Sequence, residues 1–76
     1  MTASYTAAQL AAFASLPADG SEMAFDPGRL DLMYALEGLK REYGFVDDGC
    51  VDEGAYRLTP AGIAERARLV AAGEIA

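Results

Sequence analysis

Residue types that commonly build catalytic or metal sites are scarce in this 76-residue chain. Histidine is absent, and Cys50 is the single cysteine. One cysteine cannot close a disulfide within the chain, and it cannot complete the cysteine and histidine sets that bind structural zinc. No phosphate-binding glycine loop and no activated serine accompany the acidic residues. The sequence therefore predicts a protein that is not an enzyme and needs no cofactor or metal, and it favours a reducing compartment.

Basic residues and long apolar runs are also few. Six lysine and arginine residues stand against twelve acidic ones, which gives a net charge of -6. Such a surface repels the phosphates of duplex DNA on balance, so a direct high-affinity nucleic-acid ligand is not expected. No apolar run approaches the roughly 18 residues that span a bilayer, and the first residues lack the basic charge of a secretory signal. We expect one cytoplasmic domain over residues 1–76 with no membrane partner.

Two helix starts stand in the first half of the chain. Thr6 and Gln9 fit a capping box and predict a helix over residues 6–16. Asp26 as N-cap and Pro27 at the first helical position predict a second helix over residues 26–43. With a rotation of 100° per residue, the inward face of this second helix comprises Leu32, Leu36, Leu39 and Tyr43, with Met33 and Ala35 at the margins.

A β-hairpin and a third helix are predicted for the second half. An extended segment over residues 45–51, which includes Cys50, turns near Asp52, Glu53 and Gly54 and returns as a strand over residues 55–58. Asp48 and Gly49 are also a turn signal, which would shorten the hairpin or mark a bulge, so the register stays open. Thr59 as cap and Pro60 then begin the third helix, where Gly62 permits close packing. The spacing of Ile63, Ala67 and Val70 predicts its buried face, whereas Arg66 and Arg68 should face solvent and pair with Glu65 and neighbouring acids. A short third strand is a weaker prediction at residues 22–25.

The outward side of the second helix has an unusual composition for an exposed surface. It carries Leu30, Tyr34, Glu37, Gly38 and Arg41. Aromatic residues and arginine are enriched where proteins bind one another, so this face is predicted to bind a protein partner. In the alternative interpretation, another helix or another chain covers Leu30 and Tyr34.

The segment ALEGLKREYGFVDDGCVDEGAYRLTPAGIAERARL, residues 35–69, resembles the winged-helix transcription regulators of the MarR and PadR types. The resemblance implies a small α+β winged-helix-like domain, with three helices, a β-hairpin wing and a candidate third short strand. The family has two helices between its first strand and the wing, whereas residues 26–43 either lack the first or form one long helix. The wing would carry four acids, where DNA-binding relatives usually present arginine or lysine. These acids are Asp47, Asp48, Asp52 and Glu53, and they lack the spacing of a calcium-binding loop.

These observations favour a non-catalytic regulatory module that acts by protein–protein contact on a partner with a basic surface. A phage-type inhibitor, such as an anti-CRISPR or polymerase-binding protein, fits this description. The alternative is a dimeric DNA-binding winged-helix transcription regulator. Its contact patch would comprise Arg29, Lys40, Arg41 and Arg57. A structural subunit of a larger assembly is the third hypothesis.

Overall fold

The computed structural model describes residues 5–50 and 54–75, and it confirms the predicted α+β class. Those residues form three α-helices and a three-stranded antiparallel sheet. The elements are α1 (Ala7–Ser15), β1 (Met23–Ala24), α2 (Leu30–Gly38), β2 (Val46–Asp48), β3 (Ala55–Leu58) and α3 (Pro60–Ala71). A π-helical segment, Leu39–Tyr43, continues α2. The short strand predicted within residues 22–25 is therefore present as β1.

The capping box predicted for α1 is confirmed. The Thr6 hydroxyl accepts a hydrogen bond from the Gln9 backbone N–H at 3.0 Å, and the Gln9 side chain accepts one from the Thr6 N–H at 2.9 Å. Two of the free donors at the start of the helix are thereby satisfied. Phe13 is fully buried one turn further on, so the helix start fixes which face of α1 meets the core.

The predicted start of α2 at Asp26 and Pro27 is wrong. The Asp26 carboxylate accepts a hydrogen bond from the Gly28 N–H at 2.8 Å, and its carbonyl accepts one from the Arg29 N–H at 2.9 Å. These bonds close a turn over residues 26–29, and α2 begins at Leu30 without a side-chain cap. The predicted end is confirmed, because Gly44 follows the π-helical segment with a positive φ of 70° that favours glycine.

The sheet has the order β1-β3-β2, which places the second strand of the hairpin in the centre. In the hairpin, Val46 lies opposite Leu58 and Asp47 lies opposite Arg57. Residues 51–53, where the turn is predicted, lie outside the described residues. The strand does not extend over residues 45–51: β2 stops at Asp48, where the second turn signal allowed a shorter hairpin. Cys50 lies in an exposed bend instead of a strand, with its N–H bonded to the Glu22 carboxylate.

The core lies between α1, α2, the sheet and α3. Leu36 and Leu39 are fully buried and Leu58 almost so. Tyr43, Phe45 and Ile63 are partly buried and pack against the same cluster. Tyr43 and Ile63 were predicted to face the core. On the inward face of α2, Leu32 and Ala35 are also buried, and Met33 is half-buried.

The predicted buried face of α3 is wrong in two of three positions. Ala67 and Val70 are exposed, and only Ile63 packs against the core. The buried residues of the helix are Gly62 and Leu69. A Cβ built on Gly62 would lie 1.9 Å from the Phe45 carbonyl oxygen, so α3 approaches the backbone before β2 too closely for any side chain. The predicted close packing at Gly62 is confirmed.

The start of α3 is bonded to the end of the π-helical segment through Thr59. The Thr59 hydroxyl accepts a hydrogen bond from the Gly62 N–H at 3.1 Å, as predicted for a cap. The same hydroxyl donates to the Gly44 carbonyl at 2.7 Å. Among the described residues, no helix is both long enough and apolar enough to cross a membrane.

Candidate functional site

Two large apolar side chains on α2 project into solvent. Leu30 is 61% exposed and Tyr34 is 76% exposed, and they are neighbours on the helix surface because they are four residues apart. Leu32 and Leu36 on the other side of the helix are buried. The described core therefore does not cover Leu30 or Tyr34, and both stand on a helix whose opposite side is fixed by packing.

Arg41 is the third exposed member of the predicted face, whereas Glu37 and Gly38 are half-buried. The Arg41 side chain is 77% exposed, and its Nε lies 3.2 Å from Glu37 Oε1. A Cβ built on Gly38 would lie 3.4 Å from the Gln9 side-chain nitrogen, so Gly38 faces α1. We use the name α2 face for Leu30, Tyr34 and Arg41, because these side chains are available to a partner.

The four cations of the alternative nucleic-acid patch all form ion pairs within the domain. The pairs are Arg29–Asp31 at 3.3 Å, Lys40–Asp48 at 2.9 Å, Arg41–Glu37 at 3.2 Å and Arg57–Asp47 at 3.7 Å. A phosphate would compete with a carboxylate at each of these positions. Such competition weakens the attraction that dominates DNA affinity.

The two remaining cations of the chain also have partners. Arg68 binds the Glu65 carboxylate through two nitrogens, at 2.7 and 2.8 Å, as predicted. Arg66 does not face solvent as predicted, since its Nε donates a hydrogen bond to the Phe13 carbonyl at 3.1 Å. That carbonyl belongs to the last turn of α1, where backbone acceptors have no partner within the helix.

The described acidic residues of the hairpin are partly neutralised by these pairs. Asp47 faces Arg57 across the hairpin, and Asp48 binds Lys40 from the π-helical segment. The hydrogen bond to Asp48 raises the pKa of Lys40. Asp52 and Glu53 lie outside the described residues. Within residues 5–50 and 54–75, no three side chains of the types that bind metal ions are grouped together.

Two tyrosine–carboxylate hydrogen bonds join the helices to distant parts of the chain. The Tyr56 hydroxyl donates to Glu37 Oε2 at 2.9 Å, and the Tyr5 hydroxyl donates to Glu65 Oε2 at 2.5 Å. The pKa of each tyrosine is raised to about 12, mainly because the side chain is removed from water. The hydrogen bond to the carboxylate raises the pKa further. The hydrogen bond from Arg68 is the main cause that lowers the pKa of Glu65.

Tyr56 is the residue near the α2 face that sequence reasoning missed. It lies on β3, nineteen residues from its hydrogen-bond partner Glu37. The alternation of the strand places Tyr56 in the sheet but does not identify the helix residue that its hydroxyl meets. The sequence offered only a glutamate on a predicted helix and a tyrosine on a predicted strand, and many other pairs of polar residues in the chain fit that description equally well.

Comparison with known proteins adds no family to this description. No protein-family model matches the chain, and no match was found among curated proteins or solved structures. The fold and the surface define a small α+β domain with an exposed, partly apolar helix face.

Proposed function

We propose that this protein is a non-catalytic regulatory module that binds another protein through the α2 face. The observation that carries the proposal is the exposure of Leu30 and Tyr34, 61% and 76%, on a helix anchored by buried leucines. A tyrosine, a leucine and an arginine on a pre-ordered helix are suited to act as the few anchors that supply most of the energy of an interface.

The charge distribution supports a partner with a basic surface. The chain carries a net charge of -6, and each of its six cations already has an acceptor within the domain. Complementary fields accelerate association and disfavour partners of like charge. The nucleic-acid-binding surface of a larger machine has the required character. A phage-type inhibitor, such as an anti-CRISPR or polymerase-binding protein in the cytoplasm, is the form of this proposal that we favour.

We also propose that the domain is a reduced winged helix. The order of its elements supports this: a helix and a short strand precede α2, a hairpin follows, and β1 pairs with the second hairpin strand. The segment between β1 and β2 contains a single helix, α2 with its π-helical continuation. Winged-helix domains bind proteins as well as nucleic acids, so this fold is compatible with a protein-binding role.

The test is site-specific photo-crosslinking followed by measurement of affinity. A benzophenone amino acid at position 34 should crosslink the partner in the native host, whereas the same amino acid at Val70, which is exposed on α3, should not. With the purified partner, Tyr34→Ala should weaken binding by more than about fivefold, which corresponds to about 1 kcal/mol. The variant should keep its helical circular dichroism, because Tyr34 is exposed. Val70→Ala is the matched control and should bind normally.

Three outcomes would contradict the proposal. Crosslinking from Val70 but not from position 34 would place the interface on α3. Crosslinks between two copies of the chain would replace the separate partner with a homodimer. Submicromolar, sequence-dependent DNA binding that is lost in Arg41→Ala or Arg57→Ala would favour the transcription regulator.

A further inference from the structure

We propose that Tyr56, Glu37 and Arg41 form a relay through which the hairpin sets the orientation of Arg41, and that Glu37 is a positioning residue that does not itself contact the partner. The importance of Arg41 to a partner rests on the proposed function. The relay itself lies within this chain and can be tested without a partner.

The Glu37 carboxylate is already occupied on both oxygens. Oε2 accepts the hydrogen bond from Tyr56 at 2.9 Å and lies 3.8 Å from Lys40 Nζ, while Oε1 lies 3.2 Å from Arg41 Nε. Only 33% of the Glu37 side chain is exposed. Each oxygen therefore already has a neighbour of the same domain, and this half-buried carboxylate has little acceptor capacity left for a partner.

Tyr56 fixes the carboxylate from the side of the sheet. It is 5% exposed and lies on the central strand, opposite Met23 on one side and Asp48 on the other. Its ring packs edge-on against Phe25, with ring centroids 6.3 Å apart. Neighbours on both sides therefore determine the position of its hydroxyl. With a pKa of about 12, this hydroxyl is a protonated donor at neutral pH.

Lys40 joins the same helix to the other hairpin strand. Its Nζ lies 2.9 Å from Asp48 Oδ2, and Asp48 is the direct cross-strand neighbour of Tyr56. The helix is thus connected to both strands of the hairpin by polar contacts next to Glu37. A change in the hairpin would reach the Glu37 carboxylate through either contact.

Arg41 is the exposed end of the relay. The pair with Glu37 uses its Nε, and the described residues offer it no other ion pair. The terminal nitrogens of its guanidinium are therefore available for a carbonyl or carboxylate oxygen of a partner. Because an exposed arginine has many conformers, holding one side of the guanidinium reduces the entropy that a partner must remove on binding.

The experiment measures exchange of the Arg41 Nε–H proton with water in the free protein, by nitrogen-15 NMR of arginine side chains. Tyr56→Phe keeps the ring and removes the hydroxyl that holds Glu37, and it should accelerate Arg41 exchange by up to about twofold, the ratio expected when a helical ion pair is lost completely. Glu37→Gln should accelerate it to a similar or greater extent. The chain offers a matched control, since Tyr5, Glu65 and Arg68 form a second tyrosine–carboxylate–arginine set. Tyr5→Phe should leave Arg41 exchange unchanged.

A purely structural role for Tyr56 would lower the stability of Tyr56→Phe without altering Arg41, and this result would overturn the relay. Slower exchange of Arg41 in Tyr56→Phe would also overturn the relay, because Glu37 would then hold Arg41 more firmly without the Tyr56 hydroxyl than with it. Equal acceleration in Tyr5→Phe and Tyr56→Phe would show general loosening and would likewise refute it. Failure of Tyr34 to crosslink a partner would leave the relay intact, so the two proposals fail separately.

Discussion

Replacing Gly62 with alanine tests the closest contact in the fold. Alanine is favoured over glycine within a helix by about 1 kcal/mol, so helix propensity alone predicts stabilisation. The new Cβ would lie 1.9 Å from the Phe45 oxygen and 2.8 Å from its carbon. Both atoms belong to the backbone, and the oxygen also accepts the hydrogen bond from the Thr59 N–H at 3.0 Å. The clash therefore cannot be relieved by rotating a side chain.

The expected net effect of Gly62→Ala is destabilisation. Overpacking a core costs roughly 1–3 kcal/mol, and we expect a cost near the upper end of that range because the backbone itself must move. Subtracting the helix-propensity gain of about 1 kcal/mol leaves a loss of about 2 kcal/mol. In a domain of this size, such a loss lowers the Tm by about 8–16 °C.

Urea unfolding followed by circular dichroism measures this loss directly. Ala64→Gly is the matched control, because Ala64 is exposed on the same helix and this change alters propensity without a clash. It should cost about 1 kcal/mol or less. If Gly62→Ala were neutral or stabilising while Ala64→Gly destabilised as expected, α3 could not pack against Phe45 as described.

Three further predictions concern the core, alkaline pH and DNA. Leu36→Ala should cost roughly 2–5 kcal/mol in urea unfolding, because Leu36 is fully buried, and unchanged stability would show that α2 is rotated. Tyr5 and Tyr56 ionise near pH 10 when unfolded but have a pKa of about 12 when folded, so the folded state retains more protons between these values and stability should fall as pH rises through that interval. Urea midpoints between pH 9 and about 12 would measure this fall, and an equal fall in the variant with phenylalanine at both positions would contradict its assignment to these tyrosines. Duplex DNA should bind at physiological salt with a Kd on the order of 10⁻⁴ M or weaker, and a fluorescence titration that gave submicromolar, sequence-dependent binding would refute this.

Local patterns predicted the parts of this fold that local chemistry determines. Thr6 with Gln9, and Thr59 with Pro60, lie next to the backbone groups that they cap, so a few residues contain the whole signal. Asp26 with Pro27 shows the same pattern as Thr59 with Pro60, a favoured N-cap residue before proline, but the Asp26 carboxylate binds the Gly28 N–H and closes a turn instead. Aspartate favours both structures for the same reason, so the start of α2 could not be read from those residues alone.

Hydrophobic periodicity worked for α2 and was misleading for α3. The exposed positions of Leu30 and Tyr34 follow from the phase that Leu32 and Leu36 define. In α3 the inward positions include Gly62 and the half-buried Arg66, which a search for apolar side chains passes over. Their roles depend on contacts with Phe45 and Phe13, from distant parts of the chain.

The Glu37 contacts were beyond sequence reasoning for a similar reason. Tyr56 and Asp48 reach the helix from the sheet, and their meeting with Glu37 and Lys40 depends on how the two elements pack. Helical spacing placed Glu37 and Arg41 on one side of α2 but did not distinguish a side chain that the domain holds from one that is free. The structure makes that distinction through Tyr56.

The two bonds of Thr59 restrict which residue can stand at that position. Its hydroxyl hydrogen is directed to the Gly44 carbonyl, while its oxygen receives the Gly62 N–H. Aspartate ranks with the best N-caps, but its carboxylate can only accept hydrogen bonds and would place two acceptors in opposition at Gly44. Serine retains both bonds. The first turn of α3 and the last turn before β2 therefore share one hydroxyl, so neither terminus can fray without breaking a hydrogen bond of the other, and the two ends should open as a single cooperative unit.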